Sequence, residues 1–168
     1  MKKLMILAAV VLFSSCQQNK IGFVDYTTLM DGYSKKQELE TSYNSRAEAY
    51  ARKRDSISQA FQMEAQSLQN KSKSMSQQQA QEEYGALQQR GQVIGNQLQQ
   101  EEQRMQQQGQ QKMDSLITEV RERISDFGKN NGYTYILAAG EGGSVLYGAE
   151  SQDVTEEILK VLNEEAKK

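Results

Sequence analysis

Tyr84-Gly-Ala-Leu-Gln-Gln-Arg-Gly-Gln-Val-Ile-Gly-Asn-Gln-Leu-Gln-Gln-Glu-Glu-Gln-Arg-Met105 is mostly polar, and its few apolar residues decide the fold. Tyr84, Leu87, Ile94, Leu98 and Met105 recur at intervals of three, four and seven, which draws one narrow stripe along a helix. The stripe continues through Met113, Leu116, Val120, Ile124 and Phe127. A second series precedes it: Tyr43, Ala47, Tyr50, Ile57, Phe61 and Leu68, with Arg54 in one missing slot. Neither stripe is wide enough to face a globular core. Two narrow stripes cover one another when their helices pair as an antiparallel coiled coil. The glutamines between Gln59 and Gln111 are good helix formers and become the solvated outer face.

Capping signals agree. Ser34-Lys-Lys-Gln37 and Ser76-Gln-Gln-Gln79 read as capping boxes that open the two helices. The chain therefore reverses between Lys71 and Ser76, and Gly128 or the Asn130-Asn131-Gly132 cluster closes the second helix. Glu48 with Arg52, and Glu119 with Arg123, have the spacing of favourable helical ion pairs. At 1.5 Å per residue each helix reaches about 60 Å. Gly85, Gly91, Gly95 and Gly109 interrupt the second helix, each at a cost of about 1 kcal/mol against alanine. They read as a source of compliance, or, at Gly91 and Gly95, as points of close helix approach.

The flanks read as strand and short helix. Lys20-Ile-Gly-Phe-Val-Asp25 alternates, with Ile21 and Phe23 on one face. Thr27 to Asp31 suggests a turn or two of helix, broken at Gly32. Tyr133 to Ala139 is a strand, Gly140-Glu-Gly-Gly143 a turn, and Ser144-Val-Leu-Tyr147 the return strand of a hairpin. Asp153 caps a last amphipathic helix that turns Val154, Ile158, Val161 and Leu162 inward. The fold class is α+β, mostly α. A β-containing body (20–33 and 128–168) carries a helical hairpin arm (34–127). So small a core is marginal alone, and its exposed strand edges call for several copies closing their sheets together. Ile21, Phe23, Tyr135, Leu137 and Leu146 are the oligomerisation candidates.

At the start, Met1-Lys2-Lys3 and the apolar run Leu4 to Phe13 form a signal segment too short for a bilayer span of about 20 residues. Phe13-Ser14-Ser15-Cys16 has the form of a lipobox, with Phe13 where a branched aliphatic residue is usual. Residues 1–15 are thus expected to be removed, and 16–19 to form a linker acylated at Cys16. Cys16 is the sole cysteine, so no internal disulfide is possible. Histidine and proline are absent and net charge is −2. Nothing in this balance asks for nucleic acid. Without a histidine base or a thiol nucleophile, catalysis is not expected; no cofactor or metal site is legible either. Arg52-Lys53-Arg54, Lys71 and Lys73 form a solvated charged face or a steering surface for acidic loops.

The order of these parts resembles the Skp/OmpH family of periplasmic chaperones. The resemblance rests on Lys20-Ile-Gly-Phe-Val-Asp25, on Ser34-Lys35-Lys36 leading into the hairpin, on Gly132-Tyr-Thr-Tyr-Ile-Leu, and on Asp153-Val-Thr-Glu-Glu-Ile-Leu-Lys160. It implies a tentacled homotrimer with a central β body, holding unfolded outer-membrane proteins between its arms without ATP. Members are commonly soluble and basic, whereas this chain is near-neutral and has a lipid anchor signal. The location implied is the periplasm, at a membrane. Candidate client-binding residues are Tyr50, Phe61, Met63, Met75 and Tyr84, of which Tyr50, Phe61 and Tyr84 serve equally as the arm's own core. The competing reading is a lipid-anchored coiled-coil spacer or adaptor of the envelope.

Overall fold

A computed structural model describes residues 19–166, so the signal segment and Cys16 lie outside the described residues. The chain divides into two compact units. One comprises the chain up to Lys35 and from Ile117 onward; the other is Lys36–Leu116. Residues 117–127, read from sequence as part of the arm, thus group with the β-containing unit.

The β-containing unit is built on β1 (Ile21–Asp25) and β2 (Tyr135–Ala139). They pair in parallel, in register from Ile21 opposite Tyr135 to Asp25 opposite Ala139. Helix α1 (Tyr26–Gly32) follows β1 directly, with the Asp25 carboxylate accepting from the Thr28 N–H at 3.0 Å. The last helix, α4 (Thr155–Glu165), packs on α1. Val24, Leu29, Tyr33, Val120, Val154, Ile158 and Leu162 are buried in this unit. Val161, expected inside, is only half-buried.

The expected return strand is not formed. Gly140 (φ 86°) and Gly142 (φ 77°) supply the left-handed turn, but Ser144–Tyr147 makes only one bridge, with the Val145 N–H donating to the Ala138 carbonyl at 3.1 Å. Leu146 is 99% and Tyr147 90% exposed, so this chain gives them nothing to pack on. One rung of pairing does not offset the entropy of ordering a strand. The sheet has two strands rather than three. Beside β1, the Val154 N–H donates to the Phe23 carbonyl at 2.9 Å. Thr155 then ties α4 down. Its hydroxyl accepts from the Asp25 N–H and donates to the Asp153 carboxylate, which also accepts from the Thr155 N–H.

Two long helices, α2 (Ser34–Ser72) and α3 (Gln77–Asn130), occupy the span between β1 and β2. The Ser34 hydroxyl, read as half of a local box with Gln37, donates to Asn163 Oδ1 at 2.9 Å. The same oxygen accepts from the Ser34 N–H, while Asn163 Nδ2 donates to the Gly32 carbonyl at 3.1 Å. One α4 side chain thus clamps both sides of the α1–α2 break. The expected Glu119–Arg123 pair gives way to long-range partners. Glu119 binds Lys35 at 2.6 Å and Arg123 binds Glu165 at 2.9 Å. Helix α3 ends in a Schellman motif on Gly132 (φ 70°): the Tyr133 N–H donates to the Gly128 carbonyl and the Gly132 N–H to that of Lys129. Lys20 completes this end, its ammonium on the Asn131 carbonyl and 3.9 Å from the centre of the Tyr133 ring.

Burial, then the neighbouring Glu119 carboxylate, raise the Tyr33 phenol above its ordinary pKa, and the hydrogen bond to Glu119 raises that of Lys35. Both groups hold their protons more tightly folded than unfolded. Their contribution is complete below about pH 10 and is lost as pH rises through the raised values. Denaturant titrations from neutral to strongly alkaline pH should show stability falling across that window, with a shallower fall in Tyr33→Phe. An identical slope in the variant would refute this assignment.

Candidate functional site

The hairpin unit carries most of the residues singled out for function. Numbers fall along α3 as they rise along α2: Tyr43 faces Gly109, Tyr50 faces Leu98, Phe61 faces Gly91 and Ser72 meets Tyr84. The helices are therefore antiparallel. The reversal is tight, with the Ser74 N–H donating to the Lys71 carbonyl and the Met75 N–H to that of Ser72. Ser76 then makes the expected reciprocal box. Its Oγ accepts from the Gln79 N–H at 3.3 Å, and the Gln79 side chain accepts from the Ser76 N–H at 3.4 Å.

The structure sorts the five client-binding candidates. Tyr50 is buried in the seam, its hydroxyl donating to the Leu98 carbonyl at 2.9 Å. Phe61 also lies in the seam, half-buried against Gly91. Met63 is 65% exposed and Tyr84 42% exposed. The Tyr84 hydroxyl lies 3.4 Å from the Ser72 hydroxyl, across the turn. Met75, half-buried in the turn, lines a shallow polar groove with Gln79, Glu82, Glu83 and Ala86. Val93, which is not among these five, is 49% exposed. It falls between the stripe positions, the one signal that marks it.

The glycines fall into two pairs. A Cβ at Gly91 would come within 2.9 Å of the Phe61 ring, and one at Gly109 within 2.9 Å of the Tyr43 ring. Gly85 and Gly95 have open space beside them. Close approach thus holds at Gly91 and Gly109, and not at Gly95.

Much of the charge on these helices is paired. Arg52 meets Glu48, Lys53 reaches across the seam to Glu101, Arg54 meets Asp55 and Arg90 crosses to Glu64. The Arg52-Lys53-Arg54 cluster is thereby largely neutralised. Two open grooves flank the seam. One is lined in part by Arg46, Tyr50, Lys53, Glu101, Arg104 and Met105, the other by Leu39, Tyr43, Gly109 and Met113.

The oligomerisation candidates lie in the β-containing unit. Ile21, Tyr135, Leu137 and Leu146 are 41, 59, 43 and 99% exposed, and Phe23 is half-buried. Ile21, Phe23, Leu137 and Leu146 border one groove, together with Tyr147. Among the described residues no helix is long and apolar enough to cross a membrane.

A family model described as "Outer membrane protein (OmpH-like)" matches residues 20–162. No curated protein matches the chain. Among solved structures, similarity extends to a Caulobacter crescentus protein assigned as an outer membrane chaperone (OmpH-like). The TM-score is 0.77 and the identity 12%, over 88% of this chain and 85% of that one.

Gly85→Ala and Gly95→Ala should each raise hairpin stability by up to about 1 kcal/mol, since nothing opposes the added methyl. Gly91→Ala and Gly109→Ala should gain less or lose, because an aromatic ring must move. Thermal unfolding of the four single variants checks the split; uniform stabilisation would contradict the two close contacts.

Proposed function

The chain belongs to the OmpH-like family, and on that premise we propose that it is an ATP-independent periplasmic holdase that binds unfolded outer-membrane proteins and prevents their aggregation. The observation that carries this reading is how the hairpin distributes apolar surface. Its seam buries Tyr50, Leu68, Leu87 and Leu116, while Met63, Tyr84 and Val93 remain exposed as separate points. Isolated, adaptable contacts of this kind hold many apolar segments weakly and release them. Met63 and Tyr84, with Met75 at the turn, are the contact residues; Tyr50 and Phe61 serve the seam. The Caulobacter crescentus protein, of the same fold and assigned as an outer membrane chaperone, supports the reading.

Self-association is the second part of the proposal. Ile21, Tyr135, Leu137, Leu146 and Tyr147 form an exposed apolar surface that a lone chain leaves in water. Three copies, the number the family resemblance implies, would cover these faces and give Ser144–Tyr147 a neighbour. Acylation at Cys16 would then hold the assembly at a membrane. The cross-seam ion pairs Lys53–Glu101 and Arg90–Glu64 also suit a stiff spacer, which would bind one folded partner and ignore unfolded chains.

Light scattering of a denatured outer-membrane barrel diluted into buffer separates the two. The full chain should suppress aggregation at stoichiometric amounts, and Met63→Ser with Tyr84→Ser should weaken suppression several-fold without lowering thermal stability. No suppression by the unaltered chain would favour the spacer. In sedimentation equilibrium, Leu146→Glu with Tyr147→Glu should yield monomers where the unaltered chain is trimeric. An unchanged oligomer would remove that surface from the interface.

A further inference from the structure

Arg46 on α2 and Arg104 on α3 line the same open groove, about 650 Å³ in volume. Neither has an ion-pair or hydrogen-bond partner among the described residues. Lys53 and Glu101, also in the groove, satisfy one another at 2.6 Å. Two unbalanced positive charges therefore remain, one from each helix, in a chain whose net charge is −2. Two uncompensated like charges lining one groove make it attractive to an anion. The groove supplies the rest of a binding surface. Its apolar floor is the Tyr50 ring, held by the hydroxyl bond to Leu98, and Met105. Its wall carries the amides of Gln97, Gln100 and Gln108, which both donate and accept.

We propose that this groove binds an acidic, extended segment of an unfolded polypeptide. One side-chain carboxylate sits between the guanidiniums of Arg46 and Arg104, whose planar forks match it. The glutamine amides take backbone N–H and C=O groups without regard to sequence, and Tyr50 with Met105 receives an apolar neighbour of the acid. So short an apolar floor does not suit an acyl chain, which favours a peptide over a lipid. The proposal rests on the holdase reading and adds to it the kind of segment that is held.

Fluorescence anisotropy with the full chain tests it. The probe is a short labelled peptide of alternating apolar and polar residues bearing two aspartates, compared with the same peptide bearing asparagines. The aspartate form should bind about tenfold more tightly at low ionic strength, with the preference fading as salt screens it. Arg46→Gln with Arg104→Gln should abolish the preference. Arg46→Lys with Arg104→Lys should restore part of it, since charge returns without the fork. Lys112→Gln with Arg121→Gln, an equal charge change elsewhere on α3, should leave it intact. Equal binding of both peptides, or a preference that survives Arg46→Gln with Arg104→Gln, would overturn the proposal. So would phosphatidylglycerol vesicles or inorganic phosphate binding through these arginines when the peptide preference is absent. Aggregation suppression is measured alongside. Suppression without an aspartate preference removes the groove alone, whereas its absence from the unaltered chain removes the holdase reading beneath it.

Discussion

The parallel ladder between Ile21–Asp25 and Tyr135–Ala139 is the constraint on which the other elements depend. Two strands running the same way cannot be joined by a tight turn; they need a crossover. Here the crossover consists of α2 and α3, which means both helices must return the chain to where it left. An antiparallel pair of long helices meets that demand, and the seam from Tyr43 to Leu68 and from Leu87 to Leu116 is how the pair is held. The surface proposed to hold clients thus lies on the connection itself, which is elaborated far beyond what joining two strands requires.

The same constraint explains where polar side chains are spent at the junctions. Asn163 clamps Gly32 and Ser34, Glu119 takes Lys35, and Lys20 caps the end of α3. Each ties residues from opposite ends of the sequence within the β-containing unit. Along the hairpin the polar groups do different work. Lys53–Glu101 and Arg90–Glu64 cross the seam, while Arg46 and Arg104 are left to face a groove.

Local pattern made the helices legible. The apolar stripes, the Ser76–Gln79 box and the closing glycine are each written in local sequence, and the folded chain forms all three. Choices made across long separations were not legible. Ser34 and Glu119 each had a plausible neighbour in sequence, and each bonds a residue that only the folded unit brings near. Ser144–Tyr147 carries a strand's composition without a strand's partner, so composition alone overstated the sheet. For the site, Met63 off the stripe was readable as exposed. That Arg46 and Arg104 line one groove was not readable, because it depends on the register of the two helices.

Stitching the two ends of the chain into adjacent strands also sets an order of events. If the connection between β1 and β2 were still a coil, closing so long a loop would carry an entropic penalty before any ladder bond repaid it. Helical turns form within about a microsecond, and zippering outward from the Ser74–Ser76 reversal delivers Ser34 and Asn130 back towards each other. The ladder should therefore be the last part to assemble. A lesion in the seam, far from either strand, should slow the formation of the sheet more than its cost in equilibrium stability alone would suggest.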